Sequence, residues 1–439
     1  MEARRIVAGL AAVAALTAGC SSSRGASPAP TSPSPSASPS PPPYTGPAPQ
    51  RVAAVLARPL AARALGPAGH LHALVVDIAS GTVLLNRGGD ELVPPASTAK
   101  LLTARAALTT LGPATRLATQ VVTAAPLRAD GTLAGDVWLV GGGDPTLTTD
   151  PHADPRAATL TRVVAALRAA GVRRVTGAVL GDGSLFRGPM TGVGWTPDYV
   201  GGGSVAPVSA LELDGGRVAP SDEPAPRVAD PPGYAAQRLA LALDAAGVPV
   251  TAGAGRGVAP PGARVIAAVD GLPVAALVAR MLTYSDNDLA ESLGRLVARH
   301  EGRPATFAGE VEALVASAGA DGPQLVLQDA SGLSRRDRLS LQALVDVLTT
   351  APRELLDGLA RAGRSGTLAD RFHTPAARRG VGRVRAKTGA LNGVNTLAGI
   401  ATDARGDRLA FAFATDAVTD RAAAEAALDA CAAALTTLP

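Results

Sequence analysis

Only two lysines occur in this chain of 439 residues, and each stands inside a short word. Lys100 closes Ser97-Thr98-Ala99-Lys100, and Lys387 opens Lys387-Thr388-Gly389. The other 39 of the 41 basic residues are arginine. Arginine therefore serves wherever a plain positive charge is enough. The two lysines are candidates for work that arginine cannot do, because a guanidinium stays charged whereas a buried amine can lose its proton and act as a base. The first word also dictates local structure. A spacing of three brings hydroxyl and amine together only on one face of a helical turn. Pro94 and Pro95 precede Ser97, and a helical pattern runs over 101–111, so Ser97 is expected at a helix N-terminus. Backbone N–H groups and the helix dipole there favour developing negative charge.

A third word, Ser285-Asp286-Asn287, stands between these two. Each word alone is weak. Lys-Thr-Gly by itself is most often a turn, and Asp286-Asn287 before the helical run 289–298 also reads as a cap. In this order they resemble the Ser-x-x-Lys, Ser-x-Asn, Lys-Thr-Gly set of penicillin-binding proteins and serine β-lactamases. The resemblance implies a serine acyl-enzyme. Ser97 is the nucleophile and Lys100 its base, which requires a pKa lowered from about 10.4 by burial or by a cationic neighbour such as Lys387. Ser285 relays the proton towards the leaving group, and Asn287 holds a substrate amide. Lys387 and Thr388 bind the substrate's terminal carboxylate on a strand edge. Gly389 lets the substrate backbone approach, and the N–H groups of Ser97 and Ala390 form the oxyanion hole.

The spacing separates branches of this group. From Ser97 to Ser285 is 188 residues (285 − 97), an insertion of domain size. Together with LVGGGDPTL (139–147), GDGSLF (181–186), SVAPVSAL (204–211), DASGLSR (329–335) and SGTL..RF (365–372), it resembles peptidase family S13, the D-Ala-D-Ala carboxypeptidases and endopeptidases of the penicillin-binding protein 4 type. The implied reaction removes the terminal D-Ala of peptidoglycan stem peptides, with cleavage of cross-links as a second activity. β-Lactams are the implied inhibitors. A β-lactamase remains an alternative, and so does a non-catalytic wall-binding lipoprotein.

The fold class expected is α+β. A transpeptidase-like antiparallel sheet lies between helical layers, and an α/β domain is inserted between the first and second words. Residues 51–112 and 264–439 are assigned to the catalytic domain and 113–263 to the insert. A hairpin is expected over 74–78 and 82–86. In the insert, strands are expected at 118–122, 135–140 and 174–181, with helices at 157–170 and 234–246. The chain then returns through a strand at 264–269 and a helix at 274–282. Strands at 395–401 and 408–415 and a helix at 420–435 close the sequence. The insert is shorter than two full domains, and the Pro/Gly-rich stretch 214–233 reads as a remnant of a third.

The N-terminus reads as an export signal. Arg4 and Arg5 precede an apolar run too short to span a bilayer comfortably. It ends in Leu16-Thr17-Ala18-Gly19-Cys20, which resembles a bacterial lipobox. Cleavage before Cys20 and lipid on its sulfur would anchor the protein to the outer face of the cell membrane. Residues 21–50, almost all Ser, Pro, Ala, Gly and Thr, form a tether. Cys431, the second and last cysteine, reads as a core residue. The net charge of +4 comes without any basic block, which argues against nucleic acid as a partner. Gly141-Gly142-Gly143-Asp144 lacks the rest of a phosphate loop and reads as a turn that sets Asp144 near the cleft. His70 and His72 have no third ligand, so neither metal nor cofactor is expected. Arg335 reads as a surface residue within reach of the cleft.

Overall fold

The computed structural model describes residues 46–150, 152–218, 225–318 and 325–439, all within one compact unit. The expected export signal, Cys20 and the expected tether up to residue 45 lie outside the described residues. Pro49 and Gln50, assigned to the tether, instead open a helix, where proline's fixed φ suits a first helical turn.

A six-stranded antiparallel sheet forms the centre. Its order is Ala360–Arg361, Val384–Leu391, Val394–Thr402, Arg408–Thr415, Leu71–Asp77 and Val83–Arg87. The last two strands are the expected hairpin. Alternation along each strand divides the core. In Arg408–Thr415, Leu409, Phe411 and Phe413 point to one face, and Ala410, Ala412 and Ala414 to the other. The large side chains pack under the helices Pro49–Leu60 and Arg421–Leu435 with Cys431 among them, as its reading as a core residue required. Burying each such aromatic contributes on the order of 1.5–3 kcal/mol. The alanine face admits a close second layer of helices: Lys100–Ala106, Val274–Tyr284, Asn287–His300, Phe307–Ser317 and Leu341–Thr349. The expected run over 101–111 is one continuous helical stretch, α-helical to Ala106 and closing in a wider π turn over Ala107–Leu111.

The insert forms its own five-stranded sheet, in the order Ala254–Arg256, Val179–Asp182, Val137–Val140, Arg116–Thr123 and Arg264–Pro273. Helices Leu160–Ala169 and Pro231–Ala245 pack on it around a separate apolar cluster. The run expected as one strand over 174–181 is two short ones, Arg174–Val175 and Val179–Asp182. One boundary moves. The strand starting at Arg264 was assigned to the catalytic part, but it pairs antiparallel with Arg116–Thr123 and places Ala267 and Val269 in the insert's cluster. The return to the catalytic layers therefore comes at Val274. In the Pro/Gly-rich stretch, Gly215 and Gly216 turn the chain at φ +60° and +67°, and a bridge joins Arg217 to Arg227. Among the described residues no helix is long and apolar enough to cross a membrane.

Candidate active site

Ser97 sits in a 3-10 turn, Ala96–Ala99, that runs directly into the helix Lys100–Ala106. The turn is braced from three sides. The Pro95 carbonyl accepts from the hydroxyls of Thr98 at 2.6 Å and Thr396 at 2.9 Å. Ala96 is held at φ +47°, a region that costs a residue with a Cβ on the order of 1 kcal/mol or more. Against Ala96 packs Gly332, where any Cβ would overlap the Ala96 carbonyl oxygen. Ser97 itself is half-buried.

Lys100 is completely buried and spends all three ammonium donors. Its Nζ donates to Ser97 Oγ at 3.0 Å, Asn287 Oδ1 at 2.7 Å and the Ser331 carbonyl at 2.7 Å. The contact with Ser97 was expected from sequence; those with Asn287 and Ser331 were not. Burial lowers the Lys100 pKa to about 8, against the opposing charges of Asp329, Glu291, Asp286 and Asp288. Of the two causes expected, burial or a cationic neighbour, burial is the one that lowers it. The influence is clearer in the other direction: burial and the Lys100 charge together push Lys387 well below its usual value.

Asn287 is fixed at both ends of its amide, since its Nδ2 donates to the Ser204 carbonyl at 2.8 Å. The next residue anchors the same insert loop, with Asp288 Oδ1 accepting from Ala206 N–H at 2.7 Å. The Ser204–Leu211 word thus clamps the insert onto the second motif. Asp286 caps the helix by accepting from Leu289 N–H, so the capping reading of this word also holds.

Ser285 is not drawn into the lysine's network. It ends the helix Val274–Tyr284 at φ +62°, and its hydroxyl makes no hydrogen bond among the described residues. It lines a cavity of about 330 Å³ with Ser204, Arg280, Tyr284 and Asn287. The expected relay position is therefore not formed in this state, because the lysine's donors are already taken by Ser97, Asn287 and Ser331.

The third motif lies on the strand Val384–Leu391. The Arg383 carbonyl accepts from Thr402 N–H on the inner neighbour, and the Val384 carbonyl accepts from Ala362 N–H on the outer side. By the alternation of an antiparallel ladder, the peptide groups of Thr388 and Ala390 face outward. The outer strand covers only Arg385 and Ala386, so both peptide groups lie on an open edge. Lys387 is fully buried, with Nζ donating to the Thr388 carbonyl at 2.7 Å, and the Thr388 hydroxyl bonds Thr367 Oγ1 at 2.9 Å. Gly389 also has a reason within the fold. A Cβ there would overlap Thr396 Oγ1 and stand 2.8 Å from the Pro95 carbonyl and 3.1 Å from Ala96 Cβ. The glycine lets this strand close on the Ser97 turn.

The loop 329–334 is a part of the site whose role sequence reasoning missed, although its word had been noted. The Asp329 carboxylate accepts from Gly332 and Ser334 N–H and Trp195 Nε1, each at 2.7 Å, and from Ser331 N–H at 3.1 Å. This web curls the loop so that the Ser331 carbonyl meets Lys100 and the Ala330 carbonyl meets Thr103 Oγ1. Arg335 ties the loop to the end of the edge strand through the Asn392 carbonyl at 3.1 Å. Asp144 is buried in the turn after Val137–Val140. Its Oδ1 accepts from Thr146, its Oδ2 has no hydrogen-bond partner, and burial raises its pKa.

An antiparallel sheet between helical layers, with a Ser–Lys pair beneath its edge strand, is the layout of the penicillin-interacting serine enzymes. The residue profile of the D-Ala-D-Ala carboxypeptidase 3 (S13) family matches residues 56–226 and 221–438, and the chain belongs to that family. It is 38% identical over 362 residues to a carboxypeptidase of Mycobacterium tuberculosis, covering 79% of this chain and 76% of that one. It is 37% identical over 376 residues to the carboxypeptidase DacB of Mycolicibacterium smegmatis, covering 81% and 79%. Among solved structures, penicillin-binding protein 4 of Haemophilus influenzae superposes with a TM-score of 0.70 at 22% identity, over 88% of this chain and 97% of that one. The enzyme class is thus serine-type D-Ala-D-Ala carboxypeptidase, and the β-lactamase alternative is not favoured.

Proposed function

We propose that Ser97 is the nucleophile and Lys100 the base that activates it, acting on the D-Ala-D-Ala end of peptidoglycan stem peptides. The observation that carries this is the 3.0 Å contact between the Ser97 hydroxyl and a wholly buried amine whose pKa lies near 8. Neutral Lys100 takes the Ser97 proton as Oγ bonds to the carbonyl carbon of the penultimate D-Ala. The carbonyl oxygen becomes an oxyanion, which the N–H groups of Ser97 and Ala390 receive. Donors of this kind contribute on the order of 10²–10³ in rate. The C–N bond then breaks, the departing D-Ala takes a proton from the lysine, and water hydrolyses the Ser97 ester. Ser285 joins this relay once substrate displaces part of the lysine's network. The substrate strand adds to the open edge at Thr388 and Ala390, and its carboxylate takes the Lys387 ammonium and the Thr388 hydroxyl. Asn287, fixed at both ends, offers its amide to the substrate backbone after releasing Ser204.

The same acyl-enzyme serves cross-link cleavage if the leaving amine belongs to a neighbouring stem peptide. β-Lactams acylate the same serine. Cys20 carries a lipid, and the tether sets the enzyme in the wall outside the cell membrane. The test is D-Ala release from a synthetic pentapeptide stem. The chain is expected to release it, and Ser97→Ala is expected to fall to background; release by Ser97→Ala would overturn the assignment.

A further inference from the structure

On the seam between the insert and the catalytic helices lie two cavities that the reaction above does not use. One, of about 500 Å³, is walled by Ser184, Arg187, Arg299 and Arg303. The other, of about 430 Å³, is walled by Ser184, Arg187, Arg256 and Arg295. Ser184 and Arg187 line both, so the two form one groove. Among the described residues no acidic side chain lines either cavity.

The five arginines are not equally committed. Arg303 is paired with Glu301 at 3.2 Å and Glu312 at 2.9 Å, and Arg256 stands 3.9 Å from Asp230. Arg295 is buried, and its charge answers Glu310 at 3.5 Å. Arg187 and Arg299 are exposed, and among the described residues their side chains make no hydrogen bond or ion pair. Asp182, beside the same loop, is buried and turned to the N–H groups of Ser184 and Ala259, each at 2.8 Å. The frame of the groove is braced. Arg187 N–H donates to the Ala305 carbonyl at 2.9 Å, and Arg295 donates to the carbonyls of Arg187 at 3.0 Å and Ala305 at 3.3 Å. The insert's loop is thus tied to the turn that follows the helix Asn287–His300. A frame fixed in advance lowers the ordering cost of binding.

The lining offers donors and no acidic partner. A ligand carrying an amine, such as a stem peptide, would leave that charge unpaired, whereas an anion without cationic groups meets a donor on either side. Guanidinium forks fit the paired oxygens of a phosphate group. The groove runs through two cavities, so it suits a chain with several phosphates better than a single ion. Phe186 is the one aromatic in its lining and is buried, so nucleic-acid bases find no stacking partner. A recess also admits a polymer chain and excludes the flat face of a bilayer. We propose that this groove binds a linear chain joined by phosphodiester groups and free of bases, with Arg187 and Arg299 as its charge contacts and Ser184 as a shared donor.

The test is calorimetric titration of the full chain with a short synthetic oligo(glycerol phosphate). Wild type is compared with Arg187→Gln/Arg299→Gln and with a control, Arg51→Gln/Arg58→Gln. The control removes the same charge from exposed positions on the helix Pro49–Leu60, under the other face of the central sheet. Wild type is expected to bind, and less tightly as salt rises. The groove variant is expected to bind about tenfold more weakly or worse, and the control to stay within about twofold of wild type. All the replaced side chains are exposed, so both variants are expected to melt as wild type does. No binding by wild type, or equal losses in the two variants, would overturn the proposal; equal losses would reduce the attraction to the chain's general positive charge. An oligonucleotide of equal charge that binds more tightly than the oligomer would overturn it in favour of nucleic acid. Preference for phosphatidylglycerol over phosphatidylcholine vesicles that depends on Arg187 and Arg299, without binding of the soluble oligomer, would overturn it in favour of a lipid headgroup.

Discussion

Gly389→Ala is the most discriminating perturbation of the site's framework. The new Cβ would stand 2.8 Å from the Pro95 carbonyl and 3.1 Å from Ala96 Cβ, besides overlapping Thr396 Oγ1. Neither Pro95 nor Ala96 can yield cheaply. The Pro95 carbonyl accepts the hydroxyls of Thr98 and Thr396, and Ala96 is pressed against Gly332 from the other side. Overpacking of this kind costs about 1–3 kcal/mol. Relief has to come from moving the edge strand away from Ser97, so the N–H of Ala390 shifts with it. A loss of 1.4–2.8 kcal/mol in transition-state stabilisation corresponds to about 10–100-fold in rate. The assay is the second-order constant for acylation by penicillin, with the melting temperature measured alongside. Thr396→Ala removes the overlapped hydroxyl but also a hydrogen bond of about 1 kcal/mol. The double variant should therefore lose less than the sum of the two single losses, by about 0.5 kcal/mol or more. A Gly389→Ala enzyme that acylates and melts like wild type would refute the packing argument.

Lys100→Arg keeps the charge but cannot release a proton, so acylation is expected to fall by about 10²–10⁴-fold in stopped-flow assays. With Lys100 near 8, acylation should rise with pH up to about 8 and level off above, because only the deprotonated amine is a base; a flat profile from pH 6 to 9 would contradict this. Lys387→Ala should weaken kcat/KM for substrates with a free C-terminal carboxylate more than for the corresponding amides, and equal losses would remove its carboxylate role. Asp329→Asn puts an amide N–H₂ among four N–H donors, and leaving buried donors unpaired costs about 1–3 kcal/mol each. The expected result is a lower melting temperature together with slower acylation, because the Ser331 carbonyl moves off Lys100.

The three words, the hairpin and the two layers around the sheet were legible because they rest on local rules. A spacing of three implies a helical turn, and alternating LAFAFA implies a two-faced strand. Legibility stopped where function depends on backbone groups and burial. The Ser331 carbonyl has no sequence signature of its own, although an acid followed by Ser-Gly in DASGLSR marks a tight, hydrogen-bonded loop. The packing of Gly389 against Thr396 and Pro95 was not foreseen, because a strand's period cannot say what stands opposite it. The strand from Arg264 was credited to the wrong sheet, since pairing partners far apart in sequence leave no local trace. Ser285 matches its motif, yet its hydroxyl waits outside the lysine's network in this state. Glu291 lies within a helix whose pattern reads as amphipathic, and its complete burial follows only from the packing of the Phe307–Ser317 helix.

The central claim is that Ser97 is an activated nucleophile. It is tested most directly by the intact mass of the full chain after brief exposure to penicillin, beside a Ser97→Ala control. The account predicts a gain of one drug molecule in the wild type and none in the variant. A wild type that gains nothing, or a variant that gains as much, would contradict it.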